Sequence, residues 1–310
     1  MTKIIQFILA LALLVVFSGQ SWAQLYGLAH EEEIMRSETN TPRINGFGES
    51  SLYLIDPDTG SAALIGPTGF YFCRGLDFQP VTNVLYAGCL NGIGEQVLIV
   101  VDTQTGQGTF VGFINAEGLL LDLSFRSDGT LFGYFISKPG NFLSTINTNN
   151  GDSNFIGESG LEGEGDGIGF DQFNDLFLAD TDFVSFDPSL YLLNQSNGLA
   201  TLVTGLTLPP FDEGIRLINS LDLNPETDVM FGSLDIQNFA YEHYLVTINT
   251  STGDVTNVGE TVEGLEAIAF RNPRVSNIPT LSEYGMAAVG LALLSISIFA
   301  LYRRKRFAAD

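Results

Sequence analysis

An all-β fold made of repeated four-stranded units is predicted by two landmarks that recur with one period along the 310-residue chain. Apolar segments at both ends stand outside that period. The first landmark is a short apolar strand ending at Phe78, Phe125, Phe170, Leu223 and Phe270, with spacings of 47, 45, 53 and 47. The second is a turn, seen as Asp56-Pro-Asp-Thr-Gly60, Asp102-Thr-Gln-Thr-Gly106, Asn147-Thr-Asn-Asn-Gly151, Asn194-Gln-Ser-Asn-Gly198 and Asn249-Thr-Ser-Thr-Gly253. In each, the Asp or Asn side chain bonds the backbone two residues on, and glycine supplies the positive φ that closes a hairpin with a bulge. Between the landmarks lie a strand like Leu-Tyr-Gly, a third strand ending in Asp or Asn, and a final strand. Four strands repeated every 45 to 53 residues fit a β-propeller blade.

The ends of the repeat predict closure. Leu25-Tyr26-Gly27-Leu28 is a second strand lacking a first, and Leu265 to Phe270 is a first strand lacking a second. Joining them completes a blade shared between the termini and gives a five-bladed propeller over residues 24–275 without exposed sheet edges. A β-sandwich is the competing fold, but it does not require the repeat. The unit resembles domains of bacterial exported proteins of unknown function. Leu52-Tyr53-Leu54-Ile55-Asp56 and Gly75-Leu76-Asp77-Phe78-Gln79-Pro80 carry the likeness; the fourth unit departs most, through Asn194 and the inserted Pro209-Pro210. That resemblance implies a propeller and no particular activity.

Lys3, the apolar run from Ile4 to Phe17, and Ser21-Trp22-Ala23 read as a secretory signal peptide, residues 1–23, cleaved after Ala23. An uncleaved N-terminal anchor is the alternative. Residues 276–310 hold Ile278-Pro279-Thr280-Leu281-Ser282-Glu283-Tyr284-Gly285, an uncharged apolar stretch over 286–302, and Arg303-Arg304-Lys305-Arg306. The stretch is about long enough to span a bilayer core as a single transmembrane helix. The four cations would stay cytoplasmic and place everything before the span outside the cytoplasm. Motif, span and basic stop in this order resemble the IPTL-CTERM sorting signal, usually Ile-Pro-Thr-Leu-Ser-Glu-Trp-Gly, with Tyr284 in the place of Trp. The resemblance implies recognition by an exosortase-type membrane enzyme in a Gram-negative bacterium that makes exopolysaccharide. It also implies an inner-membrane anchor before processing, then a periplasmic, outer-envelope or cell-surface location. An ordinary single-span anchor is the plainer alternative.

Charge narrows the partners. Setting Glu283, Asp310, Lys3 and the four terminal cations aside leaves 34 acids against 8 bases between the two ends, a net charge of −26. Such a surface repels nucleic acid and anionic lipid. With 24 Phe and 10 Tyr in regular apolar strands the segment is folded, since disorder needs low hydrophobicity as well.

Residues that could carry chemistry are few. Cys73 and Cys89 fall opposite each other if Phe78 opposes Val84 across the Gln79–Asn83 turn, because both pairs then share one register. In an exported domain facing cysteines oxidise, so a disulfide is expected, with two free thiols as the alternative. Two cysteines with no histidine near them in sequence do not make a metal site. His30 and His243 are expected at the surface. No nucleophile elbow, zinc helix or phosphate loop appears. Of the first-strand acids Asp77, Asp122, Asp166, Asp222 and Glu266, the three residues Asp77, Asp122 and Asp222 share one face by strand alternation and point toward one axial space. Propeller glycosidases work with axial carboxylates. The other readings are a structural Asp capping amides between blades, or a carboxylate holding water, a cation or a sugar. Glu158, Glu162, Glu164, Asp166, Asp171 and Asp175, interleaved with glycine, suit either a solvated loop or a calcium site without EF-hand spacing. No other cofactor is expected. The sequence thus predicts a non-catalytic binding or structural propeller at the envelope, whose partners are the sorting enzyme and an extracellular polysaccharide or another envelope protein. A carbohydrate-active propeller enzyme using Asp77, Asp122 and Asp222 is the alternative.

Overall fold

The computed structural model describes residues 23–30, 48–138, 140–163, 167–182, 186–211, 214–237 and 242–273. The signal peptide up to Trp22, the motif at 278–285, the apolar stretch and Arg303–Arg306 lie outside the described residues, as do Glu164 and Asp166. Among the described residues no helix is long and apolar enough to cross a membrane.

The described chain is all β. Strands β1 (Gln24–His30), β2 (Glu49–Ile55), β3 (Ala62–Phe78), β4 (Leu85–Leu90), β5 (Gln96–Val101) and β6 (Gly108–Phe113) belong to one antiparallel sheet. β3 serves two units, since its first half pairs with β2 and its second half with β4. Three four-stranded sheets follow. They are β7 (Leu119–Phe125), β8 (Leu131–Ile136), β9 (Phe142–Ile146) and β10 (Ser153–Glu158); β11 (Ile168–Phe170), β12 (Leu176–Thr181), β13 (Pro188–Leu193) and β14 (Ala200–Gly205); and β15 (Ile215–Asn224), β16 (Val229–Gln237), β17 (Glu242–Ile248) and β18 (Val255–Glu260). The last strand, β19 (Leu265–Arg271), returns to the first sheet and pairs with β1, with Leu25 opposite Phe270 and Leu28 opposite Ala267. This is the pairing of the two incomplete ends that the repeat predicts.

The innermost strands touch in a cycle: β3 lies against β7, β7 against β11, β11 against β15, β15 against β19, and β19 against β3. Four-stranded units set around such a ring are the architecture of a β-propeller. The hydrophobic core is divided among the seams. One cluster joins Tyr26 and Leu52 to Phe78 and Leu85, and another joins Leu25 and Ile55 to Phe231 and Leu245. Each seam buries what one unit cannot bury alone.

The recurrent terminal Phe now has a physical reason. The Phe closing each first strand meets, edge to face, the aromatic residue of the preceding unit's second strand. The pairs are Tyr26–Phe78, Tyr86–Phe125, Phe132–Phe170 and Phe231–Phe270, with ring centroids 5.0–5.5 Å apart. Each such pair contributes about 0.5–1.5 kcal/mol beyond the area it buries. The second landmark also forms as read. In all five turns the first side chain accepts the amide two residues on, at 2.8–3.0 Å. The closing glycines have φ between 77° and 80°.

Cys73 and Cys89 form a disulfide between β3 and β4, buried to 1% and 4% exposure. The expected register is corrected on the way to it. Near the turn Phe78 opposes Leu85, not Val84, and the pairing shifts at Gly75, where φ is 78°, so that Arg74 opposes Gly88. The bulge removes the one-residue error before the cysteines are reached. Replacing both by Ser should lower the stability of the full-length protein by about 3 kcal/mol on the chain-entropy account of a loop this short, without abolishing the fold. A urea midpoint that does not move would show that the link contributes nothing.

Candidate functional site

The first strand of each unit lines the axis, so its carboxylates are the residues to follow. Asp77 immediately precedes the landmark Phe78, Asp222 precedes Leu223, and Asp122 lies three residues before Phe125. The three come together as the alternation predicts: the Asp222 carboxyl feels both Asp77 and Asp122. Their hydrogen bonds follow one rule. Asp77 accepts the amide of Phe78 on Oδ1, at 2.6 Å, and that of Phe125 on Oδ2, at 2.6 Å. Asp122 accepts Leu123 on Oδ1 at 2.8 Å and Ile168 on Oδ2 at 2.9 Å. Asp222 accepts Leu223 on Oδ1 at 2.8 Å and Phe270 on Oδ2. One oxygen therefore binds its own strand and the other binds the next unit's innermost strand. Each carboxylate latches a seam, β3 to β7, β7 to β11 and β15 to β19.

Burial dominates their electrostatics. Asp122 is fully buried and Asp77 is 8% exposed. Loss of water pushes the Asp77 carboxyl up to about 7, against the downward pull of the Phe125 and Phe78 amides and the Ser124 hydroxyl. Asp122 is raised well above the usual carboxylate range by burial, and Asp222 by burial and then by repulsion from Asp77. Three like charges on one axis cannot all remain ionised without cost.

At the other end of the innermost strands lies a charged cluster that the sequence reading missed. Glu266 accepts a hydrogen bond from Arg74 Nε at 3.1 Å and joins β19 to β3, one of the two seams that Asp77, Asp122 and Asp222 do not latch. Glu266 is the extra residue of a β-bulge, since Leu28 opposes Ala267 while Ala29 opposes Leu265. A bulge re-aims the side chain it inserts. Burial raises the Glu266 carboxyl, but Arg74, helped by His30 and His243, outweighs it and leaves the group below its ordinary value. Both histidines correct the expectation of surface positions, being 3% and 2% exposed. His30 packs edge-on against Phe72 with centroids 5.2 Å apart, and burial lowers its pKa. His243 Nδ1 accepts the Gly264 amide at 3.3 Å, and its Nε2 lies 3.6 Å from Asp235 Oδ1. One signal could have found this cluster: Glu266 and Arg74 each stand four residues before the landmark Phe, at one repeat position with opposite charges.

Among the described residues no group of three His, Cys, Asp or Glu side chains is placed to hold a metal. Asp171 instead turns its own loop, its Oδ1 accepting the amides of Phe173 and Asp175 at 2.8 Å each.

No known protein family and no curated protein matches the chain. Solved structures do. A GH43 β-1,3-galactosidase crystallised with galactodeoxynojirimycin superposes with a TM-score of 0.50 at 11% identity, over 79% of this chain and 90% of that one. A chain of a nidogen/laminin complex gives 0.49 at 12% identity, over 80% and 99%. At 11% identity the likeness to the galactosidase is one of fold alone, and that fold is the β-propeller.

Proposed function

We propose that the chain is exported through residues 1–23, is sorted by the signal at 278–306, and presents a five-bladed propeller with a binding or structural role at the envelope. The blade count follows from dividing the seven-stranded sheet at β3 and adding the three four-stranded sheets. One observation carries the non-catalytic reading. The carboxylates that glycoside hydrolysis would need are each engaged by two backbone amides across a seam, a use that fixes blades rather than meets a substrate. The Cys73–Cys89 disulfide suits an oxidising compartment.

The test has two readouts. A reporter fused after Asp310 stays cytoplasmic before processing, and replacing Arg303, Arg304, Lys305 and Arg306 by Gln loosens retention and impairs sorting. A periplasmic reporter would overturn the topology. The same protein incubated with exopolysaccharide releases no reducing ends. Release that is lost in Asp77→Asn or Asp222→Asn would make it a glycosidase instead.

A further inference from the structure

The outer ends of two successive seams differ in a way that names a ligand. At the seam between the β7–β10 and β11–β14 units, Arg126 follows the landmark Phe125 and reaches Gln195 Oε1 at 2.9 Å. Gln195 Nε2 bonds the carbonyl of Asn174 at 2.7 Å, and Asn174 Oδ1 accepts the Ser127 amide at 3.0 Å. A guanidinium, a carboxamide and a turn asparagine thus close that gap. The Arg126 guanidinium also lies over the Phe132 ring, 5.5 Å from its centroid, and pairs with Asp128 at 2.6 Å.

One unit further on, each member of this clasp has been replaced. Asp171 follows the landmark Phe170 and stands where Arg126 did. Asp228 holds the positive-φ turn position of Asn174, with φ of 56° against 64°. Thr250, second in its turn, stands where Gln195 did. The cation is lost, an acid takes its place, and the long carboxamide becomes a short hydroxyl. The gap stays open as a groove of about 480 Å³ lined by all three replacements. Leu223, Met230 and Ile248 give it an apolar lining, Phe173 stands 75% exposed beside them, and Asp254 adds a third carboxylate. Among the described residues no Lys, Arg or His lines it.

We propose that this groove receives an arginine side chain from a partner protein. The preceding seam shows what the site lacks: a planar cation that bonds across the two turns. A guanidinium supplied from outside would pair with Asp171 and Asp228 in its fork geometry, while its stem covers Leu223 and Val229 and its plane faces Phe173. The net charge of −23 favours approach of such a partner. This inference stands apart from the sorting and export reading.

The test uses the full-length protein and end-capped Gly-Arg-Gly, with Gly-citrulline-Gly as the uncharged isostere, followed by NMR saturation transfer and titration. The arginine peptide binds, weakens with added salt, and exceeds the citrulline peptide by about tenfold or more. Asp171→Asn with Asp228→Asn lowers its affinity by a similar factor, while Asp152→Asn, on another turn, leaves it unchanged. Asp171→Arg with Thr250→Gln rebuilds the neighbouring clasp, so it abolishes peptide binding. Equal binding of the two peptides, no binding of either, binding that survives the rebuilt clasp, or preferential binding of a neutral oligosaccharide in the groove would each overturn the proposal.

Discussion

Deleting Leu25–Leu28 from the full-length protein is expected to remove cooperative unfolding altogether, an effect far beyond four residues of chain. These residues form the middle of β1, which lies between β19 on one side and β2 on the other and pairs with both. Without them the inner strand β19 keeps no partner in its own sheet, and buried amides and carbonyls on both flanks lose their bonds. Leu25 and Leu28 are fully buried, in two different seam clusters. Truncating a single buried leucine costs about 2–5 kcal/mol, and a domain holds only about 5–15 kcal/mol in all. Two such losses plus the orphaned backbone exceed that reserve. Leu28→Ala is the milder check, expected to cost about 2–5 kcal/mol by urea denaturation while leaving a single transition. A deletion protein that melts at the temperature of the parent would show that the ring does not depend on its terminal strands.

What could be read from residues alone was whatever the repeat states locally. The Asx turns need only neighbours two to four residues apart, so Asp56 and Asn249 announce themselves in one line of sequence. The terminal Phe was equally visible, although its partner was not. Phe270 contacts Phe231, and Phe78 contacts Tyr26, across seams that sequence order does not display. The axial acids show the same division. Alternation along a strand placed Asp77, Asp122 and Asp222 together. Their latching role depends on amides 46 to 48 residues away. Bulges were the main source of error. Phe78 opposes Leu85 at the turn and only the shift at Gly75 restores the register that joins the cysteines, while the bulge at Glu266 put that acid into a pair with Arg74, 192 residues distant. The position of His30 has a similar origin, because Gly264 and Glu266 reach it from the far end of the chain.

The propeller is expected to be most stable in mildly acidic solution and to lose stability between about pH 4 and pH 7, the reverse of ordinary acid denaturation. The cause is the axial cluster. In the unfolded chain Asp77 ionises near the ordinary value of 3.8, whereas in the fold burial holds its carboxyl up to about 7. Between those values the folded state binds a proton that the unfolded state has released, so stability falls as pH rises through the window and the full cost is present above it. A displacement of this size corresponds to an order of 4 kcal/mol for Asp77 alone. Asp122 and Asp222 are raised in the same direction, by burial first, with Asp77 repelling Asp222 as well. Repulsion within a chain of net charge −23 adds to the trend. The opposite slope comes from His30, whose pKa burial lowers so that stability rises with pH below its ordinary value of 6.5, and at lower pH from Asp102 and Asp128, held down by turn amides and by Arg126. Urea midpoints measured from pH 4 to pH 9 check the curve, and Asp77→Asn isolates its source. Asparagine cannot ionise, but its amide nitrogen cannot accept the second latch amide, so the variant should start below the parent near pH 4 and lose much of the slope between pH 4 and pH 7. A parent midpoint that climbs from pH 4 to pH 7, or an Asp77→Asn slope equal to the parent's, would mean that the latch amides keep Asp77 ionised and that burial does not win.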